Sequence, residues 1–76
     1  MLTAYVLVNT GIGSTVNVAE NLRRLNGVDE AHVLDGAFDI IAKMKADNLD
    51  KVKETSGKIS KIENVVGTIS MIVDEK

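Results

Sequence analysis

The chain contains no cysteine, no proline and no tryptophan. Without thiols there can be no disulfide, no thiolate zinc site and no cysteine nucleophile. Aromatic residues make up 3% of the sequence, one Tyr and one Phe. That is too few for a nucleic-acid module built on stacked bases. A single histidine, His32, leaves no material for an imidazole metal cluster, and neither a metal nor another cofactor is expected. No apolar run approaches the roughly 18 residues of a membrane span. The N-terminus lacks the basic, apolar, small-residue order of a secretory signal. Neither charge sign dominates, with 9 Lys and Arg against 11 Asp and Glu and a net charge of −2. The basic stripe of a DNA-binding surface is therefore missing. These absences predict a soluble, cytoplasmic domain with no membrane partner and no direct nucleic-acid partner.

What is present is globular. Of 76 residues, 45% are hydrophobic and 26% charged, and a chain this short forms one domain, residues 1–76. Such a domain buries only about 60% of its unfolded surface and is marginal alone. An oligomer is expected on that ground.

Leu2 to Asn9 is β-branched and apolar almost without interruption, which predicts a strand buried on both faces. Thr10-Gly11-Ile12-Gly13 breaks it, and Ser14 stands where a hydroxyl N-cap belongs. From Thr15 to Asn26, Val18, Ala19, Leu22 and Leu25 recur at helical spacing. Arg23 and Arg24 suit the last turn, and Gly27 the stop. Val28 to Asp35 reads as a second strand, Asp35-Gly36-Ala37 as a tight turn with a positive φ at glycine, and Phe38 to Ala46 as a third strand. There Phe38, Ile40, Ala42, Met44 and Ala46 share one face, and Asp39, Ile41, Lys43 and Lys45 the other. Asp47 is the expected cap of a second helix running to about Lys61, with Leu49, Val52, Ile59 and Ile62 on its apolar stripe. Asn64 to Val73 is the last strand, followed by a charged tail, Asp74-Glu75-Lys76.

The order β-α-β-β-α-β reads as two β-α-β halves. Asn26-Gly27-Val28 before the second strand echoes Glu63-Asn64-Val65 before the fourth. Right-handed crossovers give a ferredoxin-like α+β fold: a four-stranded antiparallel sheet with both helices on one face. The other face is left bare. The last strand is apolar on both sides, with Val65, Ile69, Met71 and Val73 on one and Val66 and Ile72 on the other. A bare apolar sheet face is an interface signal, so two sheets are expected to pack face to face in a dimer.

Few motifs carry chemistry. Gly11-Ile12-Gly13-Ser14 could bring backbone amides to a phosphate at a helix start. It lacks the P-loop lysine and the third glycine of a dinucleotide fingerprint, so a simple loop is favoured. His32 reads as a half-buried or dimer-facing strand residue. The competing role, a general base oriented by Asp29, Asp35 or Asp39, requires one of those carboxylates beside it. Asp39, at the mouth of the hairpin, is either a turn residue bonding local amides or a carboxylate for a ligand ammonium. Thr68 and Ser70 alternate on the last strand and could bond a polar ligand at a subunit border.

Ala4-Tyr5-Val6-Leu7-Val8, Val18-Ala19-Glu20-Asn21-Leu22, Asn26-Gly27-Val28, the run Val33 to Met44 and the ending Val65 to Val73 together resemble a known family. It is the regulation-of-amino-acid-metabolism (RAM) module, the effector domain of the leucine-responsive regulatory protein (Lrp)/AsnC transcription regulators. Gly36-Ala37-Phe38-Asp39 looks like that family's Gly-x-aromatic-Asp signature and is the most specific stretch. The family's usual N-terminal helix-turn-helix has no counterpart in these residues, so the resemblance is to the stand-alone form common in archaea.

The resemblance implies a dimeric α+β barrel of ACT-like type, whose dimers join into octameric or decameric rings. It implies an α-amino-acid effector near Gly36, Ala37, Phe38, Asp39, Thr68 and Ser70, with full-length regulators of the family as protein partners and no catalytic residue. Two other readings stay open at this stage. One is a small enzyme on the same dimeric barrel, such as a cofactor-free monooxygenase, for which one His, one Tyr and one Phe are a poor supply. The other is a ligand-free structural subunit of an assembly.

Overall fold

The computed structural model describes residues 1–73, so the predicted charged tail, 74–76, lies outside the described residues. The chain forms β1 (Leu2–Thr10), α1 (Thr15–Arg23), β2 (Val28–Val33), β3 (Ile40–Ala46), α2 (Leu49–Ser60) and β4 (Val65–Ile72). The strands make one antiparallel sheet in the order β2-β3-β1-β4. This is the expected βαββαβ architecture.

The core lies between one sheet face and both helices. Ala4, Val6 and Val8 of β1 and Ile40, Ala42 and Met44 of β3 are fully buried against Val18, Ala19 and Leu22 of α1 and Val52 and Ile59 of α2. β1 was expected to be buried on both faces. Instead its burial alternates, and Tyr5 and Leu7 on the helix-free side are only half-buried. The helices cover a single face, and the apolar run alone does not reveal that.

α1 stops at Arg23, three residues before the expected Asn26, whereas α2 ends at Ser60, within one residue of expectation, and both helices end by the same device. At the end of α1, Leu25 N–H donates to Leu22 C=O (3.1 Å) and Val28 N–H to Leu25 C=O (3.2 Å); at the end of α2, Ile62 N–H donates to Ile59 C=O and Val65 N–H to Ile62 C=O (both 3.1 Å). These three-residue steps tighten the last turn. Each exit then passes through a left-handed residue, Gly27 (φ 99°) or Asn64 (φ 72°), directly before a strand. The sequence echo between the two halves is thus a repeated exit geometry.

Gly27 also lies close to α2. A Cβ there would sit 3.2 Å from Thr55 Oγ1. Gly27→Ala is therefore expected to destabilise by roughly 1–2 kcal/mol, the cost of a left-handed non-glycine residue. Gly57→Ala, inside α2 with open space around it, should stabilise by roughly 0.5–1 kcal/mol. Urea unfolding of the two variants should show shifts of opposite sign.

Other local expectations are corrected. The cap of α2 is Asn48, not Asp47: its extended backbone directs Oδ1 to accept from Lys51 N–H (3.0 Å). Ser14 stands at the N-cap of α1, but its hydroxyl makes no capping bond. The β2–β3 connection is a loop, residues 34–39, closed by Leu34 N–H donating to Asp39 C=O (2.8 Å). Gly36 is not in the left-handed region, because a six-residue loop does not need the geometry of a two-residue turn. A register irregularity at Asn9/Thr10 sets Val65 opposite Thr10. It moves Val65 onto the core and off the face assigned to it beside Ile69 and Met71.

Candidate functional site

Asp39 is half-buried at the end of the sheet, one residue before β3. Its Oδ2 accepts from Thr10 N–H at 2.8 Å and from the Thr10 hydroxyl at 3.3 Å. The Thr10 hydroxyl also bonds the Thr15 hydroxyl (2.8 Å), and Asp39 N–H donates to Val8 C=O (3.0 Å). Asp39 therefore ties the start of β3 to the end of β1. Its partner lies 29 residues away, so it is not the local turn residue of the simpler reading. Asp39 Oδ1 makes no hydrogen bond among the described residues and is not fully buried. Phe38 is half-buried beside it, while Gly36 and Ala37 are exposed at the loop tip.

Thr68 and Ser70 lie elsewhere in the protomer. The register sets Thr68 opposite Val8 and Ser70 opposite Val6, which puts both on the helix side of the sheet. There the Ser70 and Ser56 hydroxyls pair at 3.2 Å, and those of Thr68 and Ser60 at 3.5 Å. A shallow cavity of about 240 Å³ touches Thr68, Ser60 and residues 65–67. It includes no residue of the 36–39 loop. The two halves of the expected site are thus not joined in one protomer's cavity, because β1 runs between them. The largest cavity described, about 330 Å³, is lined by Lys45, Ala46, Asp47 and Lys51 among others and holds none of the candidate residues.

Sequence reasoning missed Thr10, Ser56 and Ser60. Ser56 and Ser60 are spaced i,i+4, one helical turn, which places them above alternate residues of a neighbouring strand. That spacing, set against Thr68-x-Ser70, was a usable signal.

Gly11-Ile12-Gly13-Ser14 is a turn. Gly11 N–H donates to Asn64 C=O (2.9 Å) and Ser14 N–H to Gly11 C=O (3.1 Å), so two of its four amides are already taken. His32 lies on the helix-free face, where its Nε2 is 3.0 Å from Glu30 Oε1. None of Asp29, Asp35 and Asp39 is bonded to it; the carboxylate beside it is that of Glu30. Lys43 Nζ is 3.7 Å from the other Glu30 oxygen. The hydrogen bond from His32, aided by the Lys43 charge, holds the exposed Glu30 carboxyl below its ordinary value. Any contribution of this cluster is present above the ordinary carboxylate range and is lost as pH falls through the lowered value.

The helix-free face is divided. Its β2–β3 half carries Glu30, His32, Lys43 and Lys45. Its β1–β4 half carries Tyr5, Leu7, Ile69 and Met71, and Ile69 and Met71 are about half exposed.

This arrangement has known counterparts. Residues 3–76 match the family model described as the Lrp/AsnC ligand binding domain. The chain belongs to that family. An uncharacterised HTH-type transcriptional regulator of Pyrococcus furiosus is 34% identical over 74 residues, which are 92% of this chain and 49% of that protein. The chain thus spans about half the length of the curated relatives it matches. The crystal structure of FFRP-DM1 aligns with a TM-score of 0.90 at 33% identity, covering 97% of this chain and all of that one. Escherichia coli AsnC aligns with a TM-score of 0.88 over 99% of this chain and 52% of its own, at 19% identity, a likeness of fold alone. The relatives matched by sequence are named as transcriptional regulators.

Proposed function

We propose that this Lrp/AsnC domain is a non-enzymatic amino-acid sensor that acts through association. The observation that supports the reading is Asp39. One of its oxygens is fixed by the Thr10 amide and the other has no partner among the described residues, which makes a carboxylate oriented in advance for an ammonium group. Loop amides near Gly36 and the hydroxyls of Thr68 and Ser70 are the proposed carboxylate partners. β1 separates these hydroxyls from Asp39 within one chain, so the proposed site is completed between chains. A ligand held there shifts assembly by its differential affinity for the associated state. The proposed assembly is a dimer through the helix-free face, extended to a ring of eight or ten copies. The proposed output partners are DNA-binding regulators of the same family.

A ligand-free assembly subunit is the second reading, and one observation favours it: Ser70 and Thr68 already have hydroxyl partners in Ser56 and Ser60. Calorimetric titration of the purified protein with each of the twenty amino acids tests the two against each other. The sensor reading expects heat from at least one of them. It also expects Thr68→Val, which keeps the β-branched shape and removes the hydroxyl, to weaken that binding several-fold without a change in melting temperature. Twenty flat titrations would leave the subunit reading.

A further inference from the structure

The two edges of the sheet are built in opposite ways. An edge strand exposes unpaired N–H and C=O groups and recruits other strands unless it is charged, short or covered. β2 has all three protections. It has six residues, Val28–Val33, including Asp29, Glu30 and His32. Its Ala31 carbonyl accepts two hydrogen bonds from the Arg23 guanidinium, at 3.1 Å from Nε and 2.9 Å from Nη2. β4 has none of them. Its eight residues, Val65–Ile72, carry no charge and no proline. Val66, Ile69, Met71 and Ile72 are all exposed, Val66 to 71%.

The register shows which β4 groups are unused. Val73 N–H donates to Thr3 C=O at 2.9 Å, so Val73 and Thr3 form a hydrogen-bonded pair. In an antiparallel ladder such pairs alternate. Met71, Ile69 and Gly67 therefore bond β1, opposite Tyr5, Leu7 and Asn9. Val66, Thr68, Ser70 and Ile72 turn their N–H and C=O groups away from the sheet.

We infer that β4 is a second self-association surface, on which the β4 strand of another copy of this chain adds antiparallel and joins two sheets into one. Three features select that occupant. β4 carries no charge to repel its own image. The β2 edge of another copy is closed by Arg23 and its acidic residues. And a two-fold axis at Ile69 sets Thr68 opposite Ser70 and Val66 opposite Ile72, so that every outward group is used. On the flank of α2 that reaches β4, the residues that touch the strand are Ser56 and Ser60. These small side chains leave room for the second copy's helix on the same side. The contact lies in the sheet plane, so it is independent of face-to-face pairing and of any ligand. A chain with two different self-complementary surfaces can assemble beyond the dimer.

Amide hydrogen exchange on the purified wild-type protein, followed by NMR, tests the inference. If β4 pairs, the amides of Val66, Thr68, Ser70 and Ile72 are protected about as strongly as those of Gly67, Ile69 and Met71, and lose that protection on dilution. If the edge is free, protection alternates along the strand at every concentration, and the proposal is overturned. Ser70→Pro removes only an outward N–H, a position where an edge strand tolerates proline. With the circular dichroism spectrum retained, it should expose the Val66, Thr68 and Ile72 amides and lower the assembly size in native mass spectra. With no amino acid added, Ser70→Ala, which keeps the N–H, should match wild type in amide exchange and assembly size. If Ser70→Pro assembles and exchanges like wild type, β4 pairing is excluded. Leu7→Asp, on the helix-free face of β1 and away from the β4 edge, reports on the face-to-face dimer separately.

Discussion

Replacing Ile69 by aspartate is expected to raise the dissociation constant of the face-to-face dimer at least about a hundredfold, while the protomer stays folded. Ile69 is 50% exposed in the protomer, beside Leu7 on β1, so the fold itself loses little. In the dimer the same side chain would be covered, and an isolated carboxylate taken out of water costs several kcal/mol. Every increment of about 1.4 kcal/mol is tenfold in the constant. Sedimentation equilibrium across a concentration series reads the effect directly. A melting temperature that depends on concentration in the wild type, and no longer in Ile69→Asp, would be its thermal counterpart. Ile69→Val, which keeps the apolar surface, should remain a dimer. A folded wild-type monomer at micromolar concentration would end the face-pairing reading.

The second large effect is expected at Asp39. Asp39→Asn should weaken amino-acid binding by about ten- to a hundredfold, because a charge-assisted bond to an ammonium is worth about 1.5–3 kcal/mol. The same change acts on the fold. Asn can still accept from the Thr10 amide through its carbonyl oxygen, but without the charge, so a stability loss of roughly 1 kcal/mol is expected. The two effects separate in one titration and one melt. A large drop in affinity with a small drop in stability fits an ammonium anchor. A drop in stability with unchanged affinity would assign Asp39 wholly to holding Thr10. Thr10→Val, which keeps the amide and removes the hydroxyl, should leave affinity nearly unchanged, since the 2.8 Å bond to the carboxylate comes from the backbone.

The architecture was legible in the sequence because both periodicities are strong. Val18, Ala19 and Leu22 mark one helix face, and Ile40, Ala42 and Met44 one strand face. The echo of Asn26-Gly27-Val28 in Glu63-Asn64-Val65 proved to be a shared geometry of helix exit. The misreadings arise where two signals overlap. Leu7, Tyr5 and Ile69 are apolar on a face that no helix covers, so apolarity alone made β1 look enclosed. Asp47 and Asn48 are both capping residues, and only the extended backbone at Asn48 decides between them. The length of α1 was overestimated because Leu25 continues the apolar stripe after the backbone has changed to three-residue steps. At the candidate site Asp39 stood out through its motif. Its binding to Thr10 did not, because sequence patterns report neighbours a few positions apart and the sheet brings together segments far apart. The mutual pairing of hydroxyls between α2 and β4 was within reach of a spacing argument and sets the main competition for Thr68 and Ser70.

The position of β1 has a kinetic consequence. It is the first element in the sequence, yet it lies inside the sheet with β3 on one side and β4, the last element, on the other. During synthesis its backbone groups cannot all be satisfied until the final strand has left the ribosome. Pairings between such distant segments slow folding, because loop closure precedes the contacts that reward it. Until then an eight-residue uncharged strand and an apolar central strand are both unpaired, the combination most prone to join a neighbouring nascent chain. Folding of this domain therefore completes only once β4 is available to pair, and its yield should depend more on how crowded the unfinished chains are than on the stability of the finished fold.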